Sequence, residues 1–453
     1  MKKSEDTGDN KIIKNNSVTE GNLLYAFIMF LLPLMAASIL QQSYTIADGL
    51  ILGNAIDQNA LGAVSNVGPI LDLCTLIQIG IAGGCSIMIS HLFGAKKYGE
   101  VSKLISDIRR ITVIISLVIA VIAFLASGLI LELIHTPGSL MSGASMYLRI
   151  TITGVPFMAL YTLQAGILRG MGDSNRPLGG IAVSSIVNIG LDVLFVIVLP
   201  FGIAGAAIAT VSAEAMSAAY LYVKLEEKKR SLLLSGTGRK SNAKECIRLG
   251  MPQIVQSVVS SGGKVLLQNI TNMLGDAVVI GVAVAFKIDS ILLIPLMSIG
   301  IAVSVFTGQN IGAGRKDRVR ECVKYGFIIT VAMTLLISLA LWKFGFPLFT
   351  LFGLGSEAAE TGFRYILLCL PFYWIFGMQF VLNGYLNGGK HTTLTSGASL
   401  AGLGARIVFA YACSTVMGAD ALPLAEALSW IVAVVIDLGG LLYFRGREGT
   451  GED

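Results

Sequence analysis

Asn188 and Asp192 are polar residues inside a strongly apolar stretch, NIGLDVLFVIVLP (188–200). An ionisable side chain at bilayer depth costs roughly 3 kcal/mol even on insertion scales, so its presence needs an explanation. The two residues are four positions apart, which places both on one face of a helix. Together they offer a carboxylate and an amide to one ligand, and oxygen atoms of this kind suit a hard cation or a proton.

Two other apolar stretches repeat this spacing of polar side chains. Asp48 follows Tyr44 by one helical turn and Gln41 by almost two turns, again on one face. Thr210 precedes Glu214 by four residues in a third stretch. These helices all belong to the first half of the chain, so we expect their polar faces to converge.

We predict an ion site formed by Asp48, Asn188, Asp192 and Thr210. Two carboxylates in a low dielectric repel each other, so one is expected to keep its proton, or the pair to bind a cation such as Na⁺. The structural alternatives are a carboxylate at the outer interface for Asp48 and an interhelical hydrogen bond for Asn188.

Other charged residues at membrane depth have less defined roles. Lys264 either pairs with a carboxylate across a cavity or extends to an interface, and Asp72 has no assigned role. Lys287 and Asp289 are interpreted as structural. Arg406 lies in the eleventh predicted span, which corresponds to the fifth span of the first half. The second half contains no counterpart of the Asn188 and Asp192 pair, so the ion site is expected in the first half alone.

The elements that position these residues must be membrane helices. The chain has 453 residues, of which 54% are hydrophobic and only 13% charged, with a mean hydropathy of +0.75. Soluble domains contain roughly 25% charged residues. The sequence therefore predicts an all-α polytopic membrane protein with twelve transmembrane helices, over approximately 23–50, 60–92, 111–134, 144–168, 178–200, 202–224, 249–271, 277–310, 325–350, 361–386, 394–417 and 421–444.

The basic residues alternate between the predicted connections. Lys and Arg cluster at 96–110, 228–248 and 315–324, whereas 53–59, 136–143, 271–276, 353–360 and 417–420 contain none. Since cytoplasmic loops retain Lys and Arg, both termini are expected in the cytoplasm and the protein in the cell membrane. These loops account for the net charge of +5. Membrane lipid and a small molecule are thus the expected partners, nucleic acid is not, and a monomer is expected.

The residues that commonly perform catalysis or bind transition metals form no motif. Six cysteines contain no CxxC pair, and three histidines lie far apart in the sequence. We therefore expect no enzyme activity, no cofactor, and no metal other than Na⁺ at the predicted site, with H⁺ or Na⁺ as coupling ion.

The chain contains an internal duplication. A displacement of 218 residues pairs Gly94 with Gly312 and also relates further residues: Tyr147 and Tyr365, Gly166 and Gly384, Gly170 and Gly388. Two six-helix lobes are expected, related by an axis along the membrane normal, with alternating access to a site between them. The predicted divisions are a cytoplasmic tail (1–22), an N-lobe (23–224), a cytoplasmic linker (225–246), a C-lobe (247–444) and a second tail (445–453).

Four segments resemble motifs of the multidrug and toxic compound extrusion (MATE) transporters: TIADGLILGNAIDQNALGAVS (45–65), GILRGMGDSNRP (166–177), NIGLD (188–192) and GIAGAAIATVSAE (202–214). The resemblance covers essentially the whole chain. It implies a V-shaped cavity and export of organic cations or other amphipathic compounds in exchange for H⁺ or Na⁺.

The resemblance also implies residue roles. Asp48, Asn188, Asp192 and Thr210 match coupling residues of the N-lobe, Pro33 matches a proline linked to helix bending, and Gln41 matches a residue facing the cavity. Acidic C-lobe residues of another branch have no evident match, because the seventh span offers Lys264 instead. Tyr44, Glu214 and Lys264 complete the residues expected to line the cavity or affect its conformation.

Three other classes of protein were weighed against this interpretation. A lipid-linked oligosaccharide or lipid flippase of the same superfamily would need a large cationic cavity, and only Lys264 and Arg406 offer membrane-depth cations. A membrane-embedded enzyme would need a catalytic constellation. A channel or receptor is the third class, and gating by the same carboxylates stays open as an alternative, although the midplane carboxylates and the duplication favour alternating access.

Overall fold

The computed structural model describes residues 18–55, 58–233 and 241–450, and every regular element in these ranges is helical. The α-helices are α1 (Leu23–Ala55), α2 (Gln58–Gly94), α3 (Tyr98–Leu125), α4 (Ser127–Leu133), α5 (Gly138–Ile152), α6 (Val155–Gly170), α7 (Asn175–Asp192), α8 (Gly202–Leu233), α9 (Ala243–Met273), α10 (Asp276–Leu292), α11 (Ile294–Gly312), α12 (Lys316–Leu351), α13 (Ser356–Cys369), α14 (Tyr373–Gly388), α15 (Thr392–Met417) and α16 (Ala421–Thr450). A π-helical segment, Val193–Val198, continues α7.

Four predicted spans are each divided into two helices: 111–134 breaks at Ala126, and the other three break beside a proline. Pro156 lies in the first turn of α6, Pro295 in the first turn of α11, and Pro371 in the 3₁₀ turn that leads into α14. Proline fits the first turn of a helix because the amide hydrogen that it lacks has no intrahelical acceptor there. The break between α5 and α6 bends the chain by 47°.

The lengths and apolarity of the helices in the structure identify fewer membrane spans than the twelve predicted from the sequence. In the described parts of the chain nine helices satisfy both criteria, and counting the bent α5 and α6 pair as one span gives ten. The candidate Thr392–Tyr443 contains both α15 and α16, which are joined by the short turn Gly418–Asp420. Helix α9 does not satisfy the criteria, because its sequence QSVVSSGGKVLLQNITN is rich in polar residues.

The duplication is visible in the backbone. Three pairs of residues with positive φ lie 218 positions apart, and each pair ends a helix in the same way: Lys96 (57°) and Gly314 (72°), His135 (55°) and Gly353 (74°), Gly172 (79°) and Lys390 (69°). In each pair one member is glycine, which adopts this conformation without steric cost, and the other is not. Identical turns therefore persist where the residue types differ.

The paired glycines of the sequence are helix contacts. A Cβ at Gly166 would lie 2.8 Å from the Ala82 carbonyl oxygen of α2, and one at Gly384 would lie 2.4 Å from the Gly300 oxygen of α11. One turn further along, Gly170 and Gly388 approach the Ser86 and Ser304 oxygens in the same way, at 2.7 and 2.6 Å. Close backbone packing of this type is typical of membrane helices. Each six-helix half thus builds the same joint between its second and fourth spans.

The chain forms two compact units. The N-unit comprises Met29–Ile254, and the C-unit comprises Val255 onward together with the stretch that ends at Ile28. Helices α1 and α9 therefore each begin in one unit and continue in the other. The start of α1 packs in the C-unit, where the rings of Phe27 and Phe306 lie 5.3 Å apart.

The start of α9 packs in the N-unit through glycine. A Cβ at Gly250 would lie 2.4 Å from the carbonyl oxygen of Gly80 on α2, too close for any side chain. We expect Gly250→Ala to destabilise the protein by about 1–3 kcal/mol through overpacking. The matched control is Gly262→Ala on the same helix, where no atom lies within 4 Å of the added Cβ.

Gly262→Ala should be neutral or stabilising, since alanine is favoured over glycine within a helix by roughly 1 kcal/mol. Thermal unfolding of the two purified variants in detergent measures the difference. Equal melting temperatures for Gly250→Ala and Gly262→Ala would contradict the close contact.

Candidate functional site

The centre of the candidate site is a pair of carboxyl groups on α1 and at the end of α7. Asp192 is fully buried, and the carboxyl groups of Asp48 and Asp192 lie within hydrogen-bonding reach of each other when one of them is protonated. Neither oxygen of Asp192, nor the buried Oδ1 of Asp48, has another hydrogen-bond partner among the described residues. A single proton or cation between the two groups would satisfy both.

Asn188 lies one turn before Asp192 on α7 and is also fully buried. Its side-chain oxygen and nitrogen both lack a hydrogen-bond partner in the described part of the chain. Burying an amide without a partner costs free energy, whereas the interhelical hydrogen bond considered from the sequence would have satisfied it. The described contacts contain no such bond, so both polar atoms of the Asn188 amide are available to a ligand.

A hydroxyl group from α8 faces a tyrosine of α5 beside this pair. The Thr210 hydroxyl donates to the Ala206 carbonyl oxygen at 3.0 Å and retains lone pairs for another donor or a cation. The Tyr147 hydroxyl lies against Thr210, and Tyr147 is also within electrostatic range of Asp48. Tyr147 had been recognised in the sequence only as a repeat position, because a tyrosine in an apolar run gives no local signal of its contacts.

Tyr44 and Glu214 are also brought to the cluster. Tyr44 is within electrostatic range of Asp48, Asp192 and Glu214. Glu214 directs its carboxylate toward Gly154, where a Cβ would come within 2.4 Å of Oε2. A larger residue at the start of α6 would therefore collide with Glu214, so this glycine makes the space that the carboxylate occupies.

Three other predicted residues have no described contact with this cluster. Gln41 is exposed on α1 almost two turns from Asp48, and Pro33 lies within α1 further toward its start. Lys264 is exposed on the part of α9 that belongs to the C-unit.

The turn between α6 and α7 carries an ion-pair network at the GMGD motif. Asp173 accepts a hydrogen bond from the backbone amide of Arg176 at 3.2 Å, and its Oδ2 lies 3.2 Å from the Lys228 ammonium group. Burial favours the neutral carboxyl, but Lys228 and Arg176 outweigh it and hold the pKa of Asp173 below its usual value. The motif thus fastens the start of α7 to α8.

The C-unit contains a second set of buried charges. Arg406 of α15 binds Glu426 of α16 through two hydrogen bonds of 3.0 and 2.7 Å, and the Tyr365 hydroxyl donates to the same carboxylate. Tyr373 donates to Asp289 at 2.5 Å, which agrees with the structural interpretation of Asp289. The pairing of Glu426 with Arg406 is not predicted from the sequence, because the two residues are 20 positions apart and no spacing rule connects them.

Comparisons with known proteins agree with the resemblance drawn from the sequence. The MatE family model matches residues 33–194 and 252–412. The probable multidrug resistance protein YpnP of Bacillus subtilis is 31% identical over 373 residues, covering 82% of this chain and 84% of YpnP.

Solved structures show the same fold. A crystal structure described as MATE in the bent conformation superposes with a TM-score of 0.89 at 19% identity, covering 97% of this chain and 99% of that one. A transporter of the MOP superfamily from Pyrococcus furiosus superposes with a TM-score of 0.84 at 20% identity, over 96% and 98% of the two chains. The twelve-helix, two-lobe fold of these proteins is the fold of this chain.

Proposed function

The chain belongs to the MatE family of multidrug and toxic compound extrusion transporters, and from this we propose that it exports organic cations or other amphipathic compounds in exchange for H⁺ or Na⁺. Its relatives include probable multidrug resistance proteins and multidrug export proteins, so it is a transporter and not an enzyme. We further propose that it acts as a monomer in the cell membrane, with both termini in the cytoplasm.

The observation that carries the proposal is the carboxyl pair of Asp48 and Asp192 beside Asn188. Buried acceptor atoms without donors require a positive charge, because an isolated charge is costly at membrane depth. The coupling ion supplies that charge in one state of the transport cycle and a cationic substrate competes for it in another. Uptake of the ion then promotes release of the substrate, as reciprocal coupling between two ligands requires.

Thr210 and Tyr147 have a supporting role in this proposal. Thr210 contributes a hydroxyl oxygen to the ion, and Tyr147 holds that hydroxyl in place. Tyr44 and Glu214 surround the pair with further oxygen atoms, so a cationic substrate finds a negative environment without a fixed partner. An organic cation therefore needs only charge and apolar surface to bind, which suits export of compounds with varied shapes.

The test is efflux of a fluorescent organic cation from proteoliposomes that contain the purified wild-type chain. A pH gradient and a Na⁺ gradient are imposed separately, each with an ionophore control that dissipates only that gradient. Efflux driven by one gradient and abolished by its ionophore supports the proposal and identifies the ion. Efflux that is independent of both gradients, or movement of labelled lipid without efflux, would contradict it.

A further inference from the structure

Asp437 of α16 is a second carboxylate with the same signature as Asp192. It is fully buried, and neither of its oxygens has a hydrogen-bond partner in the described part of the chain. It belongs to the C-unit and lies eight residues before Arg445, roughly 12 Å along the helix. Its surroundings decide what satisfies it.

The register of α14 and α16 indicates which residue of α14 lies level with Asp437. Cys369, which precedes α14, contacts the Pro423 carbonyl oxygen at 3.8 Å, and the Phe376 ring lies 4.8 Å from Trp430. Both contacts join residues 54 positions apart, and successive contacts are seven residues apart on each helix. Seven residues are almost two full turns, so the next pair in this series is Asn383 and Asp437.

The residue opposite Asp437 on α15 offers no hydrogen bond. A Cβ at Gly402 would meet the Ser429 carbonyl oxygen, and one at Gly440 would meet Leu394, so α15 and α16 run antiparallel. This register places Asp437 level with Ala398, whose methyl group is fully buried. Small residues on α15 thus leave room beside the carboxylate without supplying a partner.

The unpartnered polar atoms that α14 places level with Asp437 are acceptors. Oδ1 of Asn383 is buried without a hydrogen-bond partner in the described residues, and so is Oε1 of Gln379, one turn earlier on the same face of α14. No Lys, Arg or His occurs in 379–388, 392–405 or 427–444. Lys390 and His391 lie in the turn between α14 and α15, toward the other end of these stretches from Arg406. Arg406 is bound to Glu426, and Tyr373 is bound to Asp289.

We propose that Asp437, Asn383 and Gln379 form a second monovalent-cation site, in the C-unit, that binds Na⁺ through side-chain oxygens. A carboxylate with two amide oxygens is a typical set of ligands for a hard cation. A proton on Asp437 would satisfy one acceptor only, whereas a cation accepts electron pairs from all of them. The site departs from the expectation of an ion site in the first half alone, and it does not depend on whether the N-unit carboxyl pair couples transport.

The test measures binding of ²²Na⁺ to the purified chain in detergent. The starting protein is the double variant Asp48→Asn, Asp192→Asn, which removes the carboxylates of the N-unit site. Asp437→Asn and, separately, Asn383→Ala are added to it, and Asp107→Asn, a change at the surface of α3, is the matched control. Size-exclusion chromatography and thermal unfolding verify that each variant is folded.

The proposal expects saturable Na⁺ binding in the double variant, unchanged by Asp107→Asn and absent after Asp437→Asn. Asn383→Ala should retain the charge but weaken binding by at least about tenfold, because losing even a group that only supports a ligand has an effect of that size. Absence of Na⁺ binding in the double variant would overturn the proposal, and so would binding that survives Asp437→Asn. Melting that depends on pH but not on Na⁺, and only while Asp437 is present, would assign a proton and overturn the Na⁺ site.

Discussion

The variant Asp48→Asn, Asp192→Asn is expected to lose gradient-driven efflux down to the leak of protein-free vesicles. The two carboxyl groups face each other without other partners, so they are the groups able to take up and release a positive charge. Asparagine keeps the size of the side chain but holds no exchangeable proton and neutralises no cation. The measurement is efflux from proteoliposomes under whichever gradient drives the wild type.

Each single variant should also lose most of the coupled efflux, because one charge shared by two carboxyls needs both of them. Asp107→Asn is the control, since Asp107 is paired with Lys103 at 3.3 Å on α3 and lies outside the cluster. Efflux at the wild-type rate in the double variant would refute the coupling role of this pair. The melting temperature of the variants should be equal to or above that of the wild type, since a neutral amide replaces a buried carboxyl group that has no other partner in the described residues.

Removing Arg406 is expected to have the largest effect on stability. Arg406→Met leaves the Glu426 carboxylate buried with the Tyr365 hydroxyl but without its cation. Breaking a buried pair from one side typically costs roughly 3–5 kcal/mol, because an uncompensated charge remains. Unfolding of the purified protein in mixed micelles, followed by circular dichroism, measures the loss.

Two comparisons isolate the cause of that loss. Arg406→Met combined with Glu426→Gln removes both charges and should recover much of the stability. Arg364→Met breaks an equally well-formed pair with Asp420, with contacts of 2.7 and 2.6 Å, but Arg364 is exposed and the change should be nearly neutral. Similar losses for Arg364→Met and Arg406→Met would show that burial does not set the cost.

Much of the fold follows from the sequence, because apolar runs, basic loops and the repeat each obey a local rule. The positions of the helix ends do not follow from the sequence in this way, since an apolar run marks the lipid-facing part of a helix and not its full length. Helix α3 begins at Tyr98 although its apolar run begins near residue 111, because charged residues continue the helix beyond that run. The divisions of three spans near Pro156, Pro295 and Pro371 were also missed, since proline is tolerated within membrane helices.

The site was predictable where two polar residues share one helix face. Asn188 and Asp192 meet this condition, and the approach of Asp48 follows once the helices assemble. Tyr147, Glu426 and Asp437 do not, because each depends on a neighbour from a distant part of the chain. Glu426 and Asp437 are two acidic residues in the last apolar run, and this position was itself a signal for each, since ionisable groups in membrane spans are rarely without a role.

Contacts at the start of α1 affect the order in which the parts of the protein assemble. Arg318 donates hydrogen bonds of 2.9 and 3.2 Å to the carbonyl oxygens of Gly21 and Val18, across 297 and 300 residues of sequence. At about 5–20 residues per second, a ribosome needs roughly 15–60 s to reach Arg318 after it has made these partners. The start of the first helix can therefore form these contacts only after Arg318 has been synthesised. A change at residues 18–21 should impair assembly of the C-unit, although these residues lie near the opposite end of the chain.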